Sequence, residues 1–129
     1  MPNLKMLLVD DEPEILELNR EFIEEAFPGS VIVDGKDGIE GFRRASELKF
    51  DIIVTDFQMP NMNGGDMIKQ IRAESNLNRD VPVLMMTGYV DEAKTSLTNF
   101  DGVLFLEKPA SAERLIRLIR LIITPKDTK

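Results

Sequence analysis

Ile52-Ile53-Val54 is the stretch that most restricts what this chain can fold into. Three consecutive β-branched residues with nothing polar between them suit a strand covered on both faces, as in the middle of a parallel sheet. The run ends at Thr55-Asp56, so it delivers one carboxylate to the loop Phe57-Gln58-Met59-Pro60. Three other apolar runs end in a similar way. Met6-Leu7-Leu8-Val9 is closed by Asp10-Asp11, Val83-Leu84-Met85-Met86 by Thr87, and Val103-Leu104-Phe105-Leu106 by Glu107-Lys108.

Helical stretches separate these runs. Pro13 fits a first helical turn, where its missing N–H costs nothing. From there Ile15, Leu18, Phe22 and Ala26 recur at helical spacing, widened by Leu16, Ile23 and Phe27, until Pro28-Gly29 stops the helix. Val31-Ile32-Val33 is a short strand, and Asp34-Gly35 and Asp37-Gly38 are turn signals. A second helix over 39–48 turns Ile39, Phe42, Ala45 and Leu48 inward. A third, over 65–74, buries Met67, Ile68 and Ile71, and a polar connection over 76–80 follows it. The fourth helix, 91–99, has few large apolar residues. The fifth, 111–123, has many and is followed by a tail from Pro125 to Lys129. Five strands alternating with five helices predict an α/β fold with a parallel sheet covered on both sides. In such sheets ligands bind beyond the carboxyl ends of the strands, where Asp10, Asp11, Asp56, Thr87 and Lys108 all fall.

The composition narrows the chemistry. The chain has 129 residues, enough for one domain, and is 43% hydrophobic, enough for a real core. A net charge of −7 argues against a phosphate-neutralising nucleic-acid surface. There is no histidine or cysteine, which removes the usual zinc ligands, the commonest general base and all thiol chemistry. No apolar run is long enough to span a bilayer, and the N-terminus lacks an export pattern. The expected setting is the cytoplasm, without membrane attachment.

Asp10, Asp11 and Asp56 brought together repel one another unless a cation neutralises them. An all-oxygen site with room for water suits Mg2+. Lys108 adds a positive charge and Thr87 a hydroxyl. A carboxylate nucleophile, a metal, a lysine and a hydroxyl are the parts that in-line phosphoryl transfer needs, with Asp56 as the acceptor. Taken singly, each feature is ordinary: an N-capping acid, a loop acid, a turn, a surface lysine. Their order at successive strand ends is what makes the pattern specific.

These residues resemble the receiver domain of two-component response regulators over essentially the whole chain. The likeness rests on Asp10-Asp11, on Asp56 through Gly64 (DFQMPNMNG), on Thr87-Gly88 and on Leu106-Glu107-Lys108-Pro109. It implies a flavodoxin-like (βα)5 three-layer sandwich with strand order 2-1-3-4-5, a receiver over 1–124 and a tail over 125–129. It implies phosphoryl transfer to Asp56 from a phosphohistidine on a sensor histidine kinase or phosphotransfer protein. Mg2+ would be held by Asp11, Asp56 and the backbone carbonyl of Gln58, with Asp10 acting largely through water. Thr87 and Lys108 would touch the phosphoryl group, and the Lys108–Pro109 bond would be cis. The likeness also implies a switch in which Thr87 turns inward and Phe105 follows. Phe105 lacks the hydroxyl of the tyrosine frequent there, and from the sequence alone it reads first as core. Gly88 leaves the Thr87 loop free to move. Asn63 is a cap for the third helix, and Gly64-Gly65 loosens that helix's start. The resemblance further implies that Gln58 and Tyr89 occupy positions that would modulate phosphoryl lifetime, Tyr89 either hindering water or standing as a plain surface tyrosine.

No DNA-binding or enzymatic segment follows the fifth helix in this sequence, so the expected output is a protein contact. The resemblance places it on the fourth helix, fifth strand and fifth helix, with the protein a monomer or a phosphorylation-dependent dimer. It would be either a stand-alone receiver or a domain excised from a hybrid kinase or larger regulator. On the fifth helix Leu115, Leu118, Ile119 and Ile122 face the core, while Ile116 and Ile123 beside Arg117 and Arg120 form either a partner surface or the edge of a wide core stripe. Rival readings are an acid-nucleophile phosphohydrolase, which usually needs an acid where Gln58 stands; a flavin-binding module, which the acids after the first strand disfavour; and a phosphorylation-independent adaptor.

Overall fold

The computed structural model describes residues 3–73, 75–97 and 101–124. Glu74, Asn99 and the tail from Pro125, which figure in the expected element ends, lie outside them. The elements are β1 (Lys5–Val9), α1 (Pro13–Ala26), β2 (Val31–Gly35), α2 (Gly38–Glu47), β3 (Ile52–Asp56), α3 (Gly64–Ile71), β4 (Val83–Thr87), α4 (Val90–Ser96), β5 (Val103–Glu107) and α5 (Ala112–Ile123). The five strands are all parallel, in the order β2-β1-β3-β4-β5.

The period of the strands divides the interior in two. Leu7, Val9, Ile53, Val83 and Met85 point to one face and pack on Ala45 of α2, on Met67, Ile68 and Ile71 of α3, and on Ala93 of α4. Met6, Leu8, Ile52, Val54, Leu84, Met86 and Leu106 point to the other and meet Leu16 and Ile23 of α1 and Leu115 and Ile119 of α5. Ile52, Ile53 and Val54 are fully buried, each burial contributing roughly 2 kcal/mol. The uninterrupted apolar run of β3 follows from its place at the centre of the sheet.

Register brings the polar strand ends to one rim. Val9 is paired with Thr55, Asp56 with Met86, and Thr87 with Glu107. Asp10, Asp56, Thr87 and Lys108 therefore end up side by side.

Two helices bury faces that match the expected ones only in part: Leu16, Ile23 and Ala45 are buried as expected, and Phe27 and Phe42 pack against the core. On α1 the buried residues are Leu16, Asn19 and Ile23, while Leu18 is 44% exposed. The polar Asn19, between the expected Leu16 and Ile23, is the member of the buried stripe that hydrophobicity does not show. Ile15, Leu18 and Phe22 instead line a groove toward the start of α5. On α2 the buried residues are Gly38, Gly41 and Ala45, with Ile39 52% and Leu48 42% exposed. This helix is pressed onto its neighbours: a Cβ added to Gly41 would stand 2.5 Å from Met67 Sδ. Its small residues face inward because large ones have no room there. Asp34-Gly35, read as a turn, completes β2, and the Gly35 carbonyl accepts the Asp10 N–H.

On α5, Leu115 and Ile119 are buried, and Ile116, Leu118, Ile122 and Ile123 all pack against that core. The wide-stripe reading thus holds for Ile116 and Ile123. The exposed apolar residue is Leu121, at 67%, on the flank that carries Arg114 and Arg117.

Candidate functional site

Each functional side chain reaches the rim for a local reason. β1 ends at Val9, and the chain turns into α1 over Asp10-Asp11-Glu12. Asp10 Oδ1 accepts the Glu12 N–H at 2.9 Å, which aims its carboxylate inward. Asp56 closes β3, and its Oδ1 accepts the Phe57 N–H at 2.9 Å. Lys108 follows β5; its own N–H donates to the Thr87 carbonyl at 2.9 Å, and a cis peptide joins it to Pro109. Its ammonium is thereby placed 3.0 Å from Asp56 Oδ1.

One carboxylate oxygen from each of Asp10, Asp11 and Asp56 lies within 4.8 Å of the others. Asp10 and Asp56 are buried, and Asp11 is exposed. Burial pushes the Asp10 carboxyl up to about 6, against the pull of the Glu12 N–H, and the charge of Asp56 adds to the rise. Burial also raises Asp56, opposed chiefly by Lys108. Lys108 alone does not neutralise three converging acids. The donor set is all oxygen, which fits a hard divalent cation with water completing its shell. The fit comes from the chemistry of the pocket: charge crowded at one rim, in partly buried surroundings.

The remaining predicted residues divide. Thr87 is buried at the end of β4, but its Oγ1 accepts the Tyr89 N–H at 2.8 Å and so is engaged in the turn into α4. Phe105 packs, half-buried, against the α2–α3–α4 core, with Lys94 Nζ 6.0 Å from its ring centroid. Tyr89 is 57% exposed, and Gln58 is exposed two residues after Asp56. Asn63 caps α3 as expected, accepting the Asp66 N–H at 2.8 Å. Gly64-Gly65 is the reverse of loose. Both are buried, and a Cβ at Gly64 would stand 2.3 Å from the Asp56 carbonyl oxygen.

The sequence reading passed over one pair near the site. Asp37, taken only as part of a turn, caps α2 and also accepts from Asn61 in the loop after Asp56. A signal for the cap, though not for the bond to Asn61, was present: Asp37 stands three residues before Glu40, the spacing of a helix-start capping pair.

A model of the response regulator receiver domain matches residues 6–120. This chain belongs to that family. Its receiver fold superposes on the chemotaxis response regulator CheY4 of Vibrio cholerae with a TM-score of 0.82, at 28% identity, over 94% of this chain and 99% of that one. The receiver domain of the sensor histidine kinase PA1611 of Pseudomonas aeruginosa, a structure with a magnesium ion coordinated in its active-site cleft, gives 0.81 at 25% identity over 95% and 98%. Among curated relatives, hybrid signal transduction histidine kinase D of Dictyostelium discoideum is 30% identical over 125 residues, 96% of this chain and 8% of that protein. The probable C4-dicarboxylate response regulator DctR of Halalkalibacterium halodurans is 33% identical over 116 residues, 88% of this chain and 49% of that protein. The chain thus spans half or less of the length of these two relatives. It is a receiver domain of two-component signalling, and the phosphohydrolase and flavin-module readings give way to that assignment. No helix among the described residues is long and apolar enough to cross a membrane.

Proposed function

We propose that this receiver accepts a phosphoryl group on Asp56 from a phosphohistidine of a sensor histidine kinase or phosphotransfer protein. The observation that carries the reading is the Asp56 carboxylate, held 3.0 Å from Lys108 Nζ beside Asp10 and Asp11. In the transfer a carboxylate oxygen of Asp56 forms the new O–P bond as the N–P bond of the donor breaks, and the imidazole leaves with the electron pair. Lys108 draws the equatorial phosphoryl oxygens into line. Thr87, released from the Tyr89 amide, donates its hydroxyl to one of them. Asp11, Asp56 and the Gln58 carbonyl would hold Mg2+, with Asp10 acting through water, and the ion would supply the charge that offsets the crowded anions.

The donor would dock at the groove of about 470 Å³ lined by Ile15, Leu18, Phe22, Lys108, Pro109 and Leu115, which adjoins the site through Lys108. Output would run through α4, β5 and α5 to a protein partner, or to a second copy once phosphorylated. On α5 that surface is the flank of Arg114, Arg117 and Leu121. The receiver would span 1–124 and act in the cytoplasm, where ATP-fed kinases supply the phosphoryl group.

Incubation with Mg2+ and acetyl phosphate tests the reading. The expected result is a mass gain of one phosphoryl group, absent in Asp56→Asn and absent when Mg2+ is chelated. Equal gain in Asp56→Asn would sink it.

A further inference from the structure

Asp37 is bonded to two elements at once. Its Oδ1 accepts the Glu40 N–H at 2.8 Å and caps α2, while its Oδ2 accepts from Asn61 Nδ2 at 3.1 Å. The Glu40 N–H, then the Asn61 amide, hold its carboxyl below the usual range, so it stays an ionised acceptor at neutral pH. Asn61 lies in the middle of the β3–α3 loop with φ 71°, a left-handed conformation that asparagine tolerates better than most residues. One residue on, the Met62 carbonyl oxygen lies hard against Gly38, where an added Cβ would stand 2.2 Å away. A polar bond and a backbone contact thus fasten this loop to the start of α2 side by side. Gln58 belongs to the same loop.

We propose that Asp37 and Asn61 form a latch that presets the β3–α3 loop, and with it the Gln58 carbonyl, for the divalent cation. This rests on the reading of the acidic pocket as a Mg2+ site. The two are positioning residues, not ligands. A loop free to wander must be ordered when the ion arrives, and that ordering weakens binding. The latch orders it beforehand, from a helix that takes no part in the acidic cluster.

The test is calorimetric titration of the full chain with Mg2+. Asp37→Ser keeps a helix cap but is too short to reach Asn61. Asn61→Gly keeps the left-handed backbone and removes the amide. Each is expected to weaken Mg2+ binding by roughly tenfold, as loss of supporting contacts around a metal does. The double variant is expected to be no weaker than the worse single one, because both remove the same bond. Asp37→Asn is expected to restore affinity, since its amide can pair with a flipped Asn61 amide. Thermal unfolding without Mg2+ should not follow this pattern, which separates positioning from folding. Unchanged Mg2+ affinity in Asp37→Ser and Asn61→Gly, or losses that multiply in the double variant, would overturn the latch alone. A wild-type chain that does not bind Mg2+ would overturn the reading of the pocket, and the latch with it.

Discussion

Two loops border Asp56, and they are held in opposite ways. The β3–α3 loop is fastened throughout: the Phe57 N–H donates to the Met86 carbonyl at 3.0 Å, the Gly64 N–H to the Phe57 carbonyl at 2.6 Å, and Asn61 to Asp37. The β4–α4 loop has space. A Cβ added to Gly88 meets nothing within 4 Å, Tyr89 stands out in solvent, and α4 begins without a side-chain cap. One hydroxyl, that of Thr87, ties the turn down. A nucleophile works best when it is stationary, and an element that reports on it works best when it has somewhere to go. The rim combines the two by placing them on neighbouring strands.

The contrast can be broken most forcefully at Gly64. Gly64→Ala sets a methyl group against the Asp56 carbonyl oxygen and Met85 Sδ. It should cost about 3 kcal/mol or more in urea unfolding, a severe case of overpacking. A loss under about 1 kcal/mol would show that the fastened loop yields as readily as the open one.

Next in size is Asp10→Asn. With its carboxyl raised to about 6, the folded chain binds that proton more tightly than the unfolded chain, whose ordinary value is 3.8. Without a cation, this group's contribution to stability therefore falls as pH rises from about 4 to about 6, and the penalty persists above that. Asp10→Asn should stabilise the metal-free chain at pH 7 by on the order of 2 kcal/mol and flatten that slope. Added Mg2+ should narrow the gap by stabilising the wild type. Denaturation midpoints from pH 4 to 8 check both.

Gly88→Ala should be mild, stabilising by about 0.5 kcal/mol through the unfolded chain, since its backbone is compatible with alanine. Hydrogen exchange with a phosphoryl analogue bound should show altered protection over residues 90–97 in the wild type, a smaller change in Gly88→Ala, and little change over 64–71. Equal changes in α3 and α4 would erase the contrast. The smallest effect on stability belongs to Tyr89→Ala, within about 0.5 kcal/mol for so exposed a side chain. If Tyr89 hinders water, this variant loses its phosphoryl group faster, and phosphoprotein decay followed by mass checks it. An unchanged or slower rate removes that role.

The architecture was legible because it rests on local patterns. Apolar runs ending in acids, hydroxyl and lysine give strands and their polar ends directly, and the resemblance supplied the strand order. Asp10, Asp11, Asp56 and Lys108 converge as expected. What escaped was set by size or by distant partners. On the inward face of α2 the apolar pattern marks Ala45 but not Gly38 and Gly41, since a search for apolar side chains passes over glycine. Asn19 sits on a buried stripe, where its polarity misleads. Asn78, read as part of a polar connection, is buried: its amide donates to the carbonyls of Ala45 and Leu48 and accepts the Phe50 N–H. Bonds spanning about thirty residues leave no mark on the neighbouring sequence. The same holds for Asp37 and Asn61, which meet only because α2 and the β3–α3 loop are pressed together.

The sheet that splits the interior has a consequence for how this chain can vary. Alternate residues of every inner strand answer to different helical layers, so a substitution in one half seldom requires a compensating change in the other. The α1–α5 layer and the outer face of α4 can drift toward new associates while α2 and α3 preserve the loop that holds the acceptor. Inheritance of the chemistry and divergence of the wiring are thereby carried by different helices around the same five strands.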